Sequence, residues 1–246
     1  MNIFIKFVEM IAVISTVFIL TGIANAAIIV PDDYATIQWA IDNATAGDTI
    51  IVRDGFYVEN IVVNKPLTVK SEDGFANCII KAEFGNIVAI TANHVTLTGF
   101  TLIGVGRNEF LFADISVNAN YCEISDNLIL NNDIGVRLYY SNNNIIKNNN
   151  ITGNIFGIRL YRSNDNLIYL NNLINSRNVY SQESVNLWNS TKQVIYQYND
   201  QTFVGNLGNN WSDCYVDRQT IYIGDLPLLT YQTTILLMME LEMPPI

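Results

Sequence analysis

The chain is poor in the residues that do most side-chain chemistry. It has one histidine, His94, among 246 residues. A single imidazole removes most general-base mechanisms of the Ser/His/Asp kind. No phosphate-cradling glycine loop and no zinc-type Cys/His cluster can be assembled either. Cysteine is limited to Cys78, Cys122 and Cys214, which excludes a disulfide framework. Cys122 alternates with Ile124 as an inward residue does, so a buried thiol is favoured over a Cys78–Cys122 bridge. Positive charge is scarce: 13 Lys and Arg against 23 Asp and Glu leave a net charge of −10. That balance argues against nucleic acid or an anionic membrane as partner.

Long apolar runs are few. One, from Met10 to Leu20, follows Lys6 and precedes the small-x-small sequence Ala24-Asn25-Ala26. Residues 1–26 therefore read as a secretory signal peptide. The competing reading is a membrane anchor, for which the run is short against the ~20 residues of a span. Both readings place the protein outside the cell or on its surface. The rest suits one elongated domain. Asn-x-Ser/Thr sequons at Asn43, Asn150, Asn189 and Asn210 matter if the host glycosylates exported proteins.

What the chain does have is a repeat. Gly135-Val136-Arg137-Leu138-Tyr139 returns 22 residues later as Gly157-Ile158-Arg159-Leu160-Tyr161. Ile124, Ile146 and Ile168 keep the same step, as do Ile129, Ile151 and Leu173. A fixed period with apolar residues at matching positions marks a solenoid, whose repeats bury their faces against their neighbours. Upstream, Ile28-Ile29-Val30 is a short strand. Pro31-Asp32-Asp33 then opens a helix with Ile37, Ala40, Ile41 and Ala44 on one face and Gly47 as its stop. Such a helix suits the cap that a solenoid's first turn needs. From Thr49 the apolar period becomes two, in short runs broken by Gly, Asn and Asp, which are strands and tight turns. The expected architecture is all-β: a right-handed, single-stranded parallel β-helix with an N-terminal capping helix. Residues 27–48 are the strand and capping helix, 49–207 the β-helix and 208–246 a closing segment. Six or seven rungs run from Thr49 to about Val194. Gly104 to Asp114 reads as an inserted loop with Phe110, Leu111 and Phe112 at its tip.

Between Asn118 and Asn178 there are 18 asparagines. A prion-like tract is the competing reading, but aliphatics in fixed register decide against it. Asn127, Asn149 and Asn171 stand 22 apart at one corner. Asn tolerates left-handed backbone. Stacked at the ~4.8 Å strand spacing, its amides form a ladder.

Three pieces of sequence together resemble a known family. They are Val30-Pro31-Asp32-Asp33-Tyr34-Ala35-Thr36-Ile37-Gln38 running into Ala46-Gly47-Asp48-Thr49-Ile50-Ile51-Val52 and Gly55-Phe56-Tyr57-Val58-Glu59; the Asn-rich 22-residue rungs; and Gly208-Asn209-Asn210-Trp211-Ser212-Asp213 followed by Ile223-Gly224-Asp225-Leu226-Pro227. The chain resembles the NosD-like β-helix proteins, especially surface and secreted ones of methanogenic archaea. The resemblance implies a right-handed β-helix of the pectin-lyase type. It also brings in a periplasmic protein of copper-site maturation and many carbohydrate-binding or sugar-cleaving relatives. Two stretches depart from the pattern. Cys214 to Thr220 lacks the family's acidic, glycine-rich loop. Beyond Pro227 the match ends, and Ile235 to Met239 is either a hydrophobic cap or a truncated or frame-shifted end.

The chemistry is read against these rungs. Two carboxyls that cleave a glycoside sit roughly 5–9.5 Å apart, hence stacked or two apart on a strand. One period away, Asp126 meets Asn148, Asp133 meets Ile155 and Asp165 meets Asn143. No acid pair stacks, although Glu109 or Asp114 from the loop could approach a rung. If Val136 and Leu138 point inward, Arg137 and Tyr139 point outward, and so do Arg159 and Tyr161. Ala89 and Ser116 continue the arginine column above. Thr91 and Asn118 continue the tyrosine column above, and Glu183 continues it below. Aromatic faces stack on sugars and Arg grips carboxylate or sulfate, so Arg137, Tyr139, Arg159 and Tyr161 form a candidate carbohydrate-binding face. The plain alternative is a solvated sheet face whose Tyr and Arg pack on each other. Lyase chemistry would use Arg137, Arg159 or Lys147. Copper is disfavoured, because soft-metal sites use Cys, Met and His, His94 reads as a corner residue, and Met238, Met239 and Met243 all fall in the tail. Calcium at Asp213, Asp217 and Asp225 is the other metal option. Trp211 is expected to close the last turn. The reading is an exported cell-surface or secreted protein that binds a polysaccharide or surface glycan or structures the envelope. It leans away from catalysis, with a polysaccharide lyase or hydrolase on an acidic glycan and a copper-handling accessory protein as alternatives. An envelope protein partner and self-association through the C-terminal end stay open.

Overall fold

A computed structural model describes residues 26–104, 112–198 and 201–212. Short runs with apolar residues at every second position give strands that bury one side, and three parallel sheets close around one core. The first face stacks Ala27–Val30, Thr49–Val52, Thr68–Ser71, Thr96–Thr98, Glu123–Ser125, Ile145–Lys147 and Leu167–Tyr169. The second stacks Gly55–Val58, Cys78–Lys81, Thr101–Ile103, Leu128–Leu130, Asn150–Thr152, Asn172–Ile174 and Asn210–Trp211. The third stacks Ile61–Val63, Val88–Ile90, Ala113–Val117, Ile134–Tyr139, Phe156–Tyr161 and Arg177–Gln182. Every neighbour on a face is parallel and one turn away in sequence, which makes the molecule an all-β parallel solenoid of about seven turns with very little helix.

The register matches the repeat. Ile124, Ile146 and Ile168 stack on the first face, and Ile129, Ile151 and Leu173 on the second. All six are buried, each worth about 1.5–3 kcal/mol relative to exposure. Cys78 and Cys122 are free, buried thiols. Burial pushes the Cys78 thiol up to about 12 and raises that of Cys122, so both behave as small core hydrophobes.

Several expected boundaries move. Ala27–Val30 pairs in parallel with Thr49–Val52, so the first ladder begins before residue 49. The helix spans only Ile37–Asn43, with the Thr36 side chain accepting from the Trp39 N–H at its start and Ala44 at its end. Pro31–Asp33 is a turn, tied down because Asp33 accepts from the Ile29 N–H at 2.7 Å. Ile37, Ala40 and Ile41 are buried as their spacing predicts. Asp114 belongs to the strand Ala113–Val117 rather than to a loop, and it is buried; residues 105–111 of the expected insertion lie outside the described residues. At the other end Val194–Tyr198 and Gln201–Gly205 form an antiparallel hairpin. The chain then rejoins the second face, Asn210–Trp211 pairing with Asn172 and Leu173. Trp211 packs on Trp188, ring centroids 5.7 Å apart.

The asparagines form internal ladders. The Asn127 backbone N–H and Nδ2 both donate to Asn149 Oδ1, at 3.1 and 3.0 Å. Asn149 donates in the same way to Asn171, and Asn171 to Asn209. Two further ladders occupy the other corners: Asn144, Asn166 and Asn186, and Asn132, Asn154 and Asn175. Left-handed backbone does not fall on Asn127, Asn149 or Asn171. It falls one residue earlier, at Asp126, Asn148 and Leu170. The bend precedes the ladder residue, whose amide must enter the core to reach the turn below.

Candidate functional site: an arginine and tyrosine face

The third sheet carries the repeated Gly-aliphatic-Arg-Leu-Tyr sequence. Glycine opens it because the next turn lies too close for a side chain. A Cβ at Gly135 would sit 2.8 Å from the Gly157 carbonyl oxygen, and one at Gly157 would sit 2.6 Å from that of Asn178. Val136, Leu138, Ile158 and Leu160 then fill the core, and strand alternation turns the intervening residues outward. Arg137 lies beside Arg159 and Tyr139 beside Tyr161 in the parallel register.

The tyrosine pair is stacked, with centroids 5.3 Å apart and planes 16° apart. Tyr140 meets both rings edge-on. Arg162 lies over Tyr161 and Tyr140 at 5.2 and 5.6 Å. It also donates from Nη1 to the Tyr140 hydroxyl and pairs with Glu183 at 2.6 Å. The Glu183 bond, then that to Tyr140, raises the Arg162 pKa. Arg162 is therefore committed.

The arginine column is different. Arg137 donates from Nη2 and Nε to Ser116 Oγ at 2.9 and 3.3 Å. Arg159 lies over Phe156 and Tyr180, and Arg177 over Tyr180 at 4.8 Å. Among the described residues none of these three cations has a carboxylate partner, whereas Arg53, Lys147 and Arg162 do. Burial, then the neighbouring Arg159 charge, lowers the Arg137 pKa.

The columns above the face run as expected on the arginine side, through Ala89 and Ser116. Below, the register corrects the sequence reading: Tyr161 pairs with Gln182 and Arg159 with Tyr180, so Glu183 is not in the tyrosine column. The last step takes 21 residues rather than 22, which shifts every partner by one. Sequence reasoning also missed Tyr140, Arg162, Phe156, Arg177 and Tyr180. Tyr140 and Arg162 stand one period apart and were findable, as was Phe156, one period from Ile134; Arg177 and Tyr180 depend on the shortened step.

Metal chemistry finds little to use. Among the described residues no three His, Cys, Asp or Glu side chains cluster to hold an ion. His94 stacks on Tyr121 at 5.3 Å in a left-handed corner, and both described cysteines are buried thiols. Copper therefore does not fit the donors among the described residues. Asp213, Asp217, Asp225, Cys214 and the tail methionines, like the expected signal peptide, lie outside the described residues. Asp114 stacks on no other acid; it accepts from Asn132 Nδ2 at 2.9 Å inside the core.

Fold and face together define a parallel β-solenoid presenting cations and aromatic rings on one sheet. The profile of the family described as "Periplasmic copper-binding protein (NosD)" matches residues 86–215, and the chain belongs to that family. It is 37% identical over 127 residues to a "Cell surface glycoprotein" of Methanothermus fervidus. That match takes in 49% of this chain and 20% of the glycoprotein, so the chain spans about a fifth of that relative's length. Among solved structures it is similar to an alginate lyase from a Paenibacillus species, with TM-score 0.45 and 19% identity over 66% of each chain. It is also similar to pectin methylesterase from carrot, with TM-score 0.47 and 18% identity over 68% of this chain and 63% of that one.

Proposed function

We propose that the chain is an exported cell-surface protein that binds an acidic glycan on its third face. Arg137 and Arg159 would hold carboxylate or sulfate groups, and Tyr139 and Tyr161 would pack on the sugar rings. One observation carries this reading: stacked arginines with no carboxylate partner among the described residues, on a chain of net charge −10. Like charges on adjacent strands repel, and an external anion relieves both. Kinship with the surface glycoprotein supports the location. A right-handed coil, with the Ile37–Asn43 helix as its N-terminal cap, completes the proposal. Gln38 of that helix supports the cap by accepting from the Val62 N–H on the edge strand of the third face at 2.6 Å.

The test is binding of the mature chain, 27–246, to uronate and sulfated polymers and to neutral glucans, with and without calcium. The expected result is salt-sensitive affinity for acidic polymers only. Arg137→Ala with Arg159→Ala should weaken it by about tenfold or more, equivalent to about 1.4 kcal/mol. Equal affinity of the double variant and the parent would sink the assignment to this face. Absence of binding to every acidic polymer would point to a structural envelope role.

A further inference from the structure

The four sequons take no part in the function proposed above, and the fold treats them unequally. N-glycosylation needs two groups of the sequon: the Asn amide nitrogen, which becomes bonded to the sugar, and the hydroxyl two residues on. At Asn210 both are engaged; at Asn150 the hydroxyl and the amide oxygen are engaged, and the side chain is fixed through that oxygen. Asn210 Nδ2 donates to Asn172 Oδ1 at 2.8 Å, and Asn172 Nδ2 donates to Asn150 Oδ1 at 3.0 Å, an outward ladder on the second face. The Thr152 hydroxyl donates to the Ile174 carbonyl, and Ser212 Oγ accepts from Asn178 Nδ2. The backbones of Asn150 and Asn210 are held in parallel ladders.

Asn189 is the opposite case. It sits in a bend outside the three sheets, partly exposed, followed by buried Ser190, which is bonded to Lys192 and Leu207, and by exposed Thr191. Neither the Asn189 amide nor the Thr191 hydroxyl has a hydrogen-bond partner among the described residues. Asn43 is intermediate. It is exposed at the end of the helix and donates one amide hydrogen to the Trp39 carbonyl, while the hydroxyl of exposed Thr45 is uncommitted.

We propose that Asn189 is the principal N-glycan acceptor of the folded chain, that Asn43 is a lesser one, and that Asn150 and Asn210 are refused once the solenoid has closed. The donor is an oligosaccharide carried on a polyprenyl phosphate or diphosphate. Asn189 Nδ2 bonds to the anomeric carbon, and the bond from that carbon to the phosphate oxygen breaks. The lipid phosphate leaves with the electron pair, and one amide proton passes to a base of the transferase. A glycan at Asn189 would stand beside Val185 and Leu187, which are 58% and 50% exposed, and would screen them from other molecules.

The experiment incubates the folded mature chain, made in a host without N-glycosylation, with an oligosaccharyltransferase and its lipid-linked donor. A flexible acceptor peptide is included in the same tube, and sites are mapped by mass spectrometry. Asn189 should carry most of the glycan and Asn43 less. Asn189→Gln and Thr191→Ala should each remove that glycopeptide, Thr191→Ser should retain it, and the thermal midpoint should stay unchanged in all three. Occupancy at Asn150 or Asn210 equal to or above that at Asn189 overturns the proposal. So does an unmodified Asn189 beside a modified control peptide.

Discussion

The turns before residue 104 and those after residue 112 build the same prism by different chemistry. On the first face the chain takes 19 residues from Ile50 to its partner Val69, 28 more to Leu97 and 27 to Ile124. It then takes 22 to Ile146 and 22 to Ile168. The inward corner position just before each first-face strand is Leu67, Val95 and Cys122, then Asn144 and Asn166. Before the second-face strands it is Phe100, then Asn127, Asn149, Asn171 and Asn209. Apolar corners need only volume, so the loops beside them vary in length. Amide corners need a partner at one fixed height above and below; the step is 22 through the middle rungs, and where it becomes 20, 21 or 38 the ladder asparagine is still placed to pair. The fixed position of the corner residue in the lower turns is thus a hydrogen-bonding requirement, and the looser corners of the upper turns are the freedom that packing by volume allows.

The sharpest way to break this contrast is to exchange the chemistries. Asn149→Leu would take Asn149 Oδ1 from the Asn127 N–H and Nδ2, and the Asn149 amide donor from the Ile124 and Lys147 carbonyls. Several buried polar groups left unpaired should cost about 4 kcal/mol. Phe100→Leu in the upper turns keeps an apolar corner and should cost about 1.5 kcal/mol or less. Denaturant midpoints of the two variants decide it. Equal losses would mean that the ladders add nothing beyond filled volume.

The same contrast explains which features were legible beforehand. Period and alternation announce themselves where hydrogen bonds enforce them, so Arg137, Tyr139, Arg159 and Tyr161 could be turned outward on paper, and one asparagine ladder could be drawn. The Asn144 and Asn132 ladders obey the same period and were overlooked, because neighbouring asparagines such as Asn142 and Asn143 hide which one points inward. The placement of Tyr180 beside Arg159 was not legible, since a 21-residue step leaves no mark in composition. Nor was Asp114: an acid at the end of a suspected loop gives no hint that it lies wholly buried.

Asp114 sits at the seam between the two regimes, above the Asn132 ladder, from whose first amide it accepts. Its Oδ1 accepts from Asn132, and its Oδ2 has no partner. Burial raises its pKa well above the ordinary 3.8, with the Asn132 bond opposing. A raised carboxyl pKa gives stability that is fully present below the unfolded value and is lost as pH climbs toward the folded one. Asp114→Asn removes that titration. The stability gap between variant and parent should therefore be smallest near pH 4 and widen with pH, by at most about 1.4 kcal/mol per unit. Parallel curves of midpoint against pH would show that Asp114 is charged or solvated in the fold.

The smallest effect is expected one turn above the second ladder, at Cys122. Its backbone N–H already donates to Asn144 Oδ1 at 2.8 Å, as a ladder asparagine's would. Its thiol already points at the Ala92 and Asn120 carbonyls, at 3.4 and 3.5 Å, and faces the Val95 and His94 N–H groups. Those are the donors and acceptors an amide would use, so Cys122→Asn should extend the ladder by one turn and change stability by about 1 kcal/mol at most, in the favourable direction. Val95→Asn, one turn higher in an apolar corner, should destabilise by more than that, because the 28-residue step below Val69 was never set by amide spacing. If Cys122→Asn instead costs as much as Val95→Asn, the boundary between the two chemistries lies below Cys122 and the thiol belongs to the upper turns.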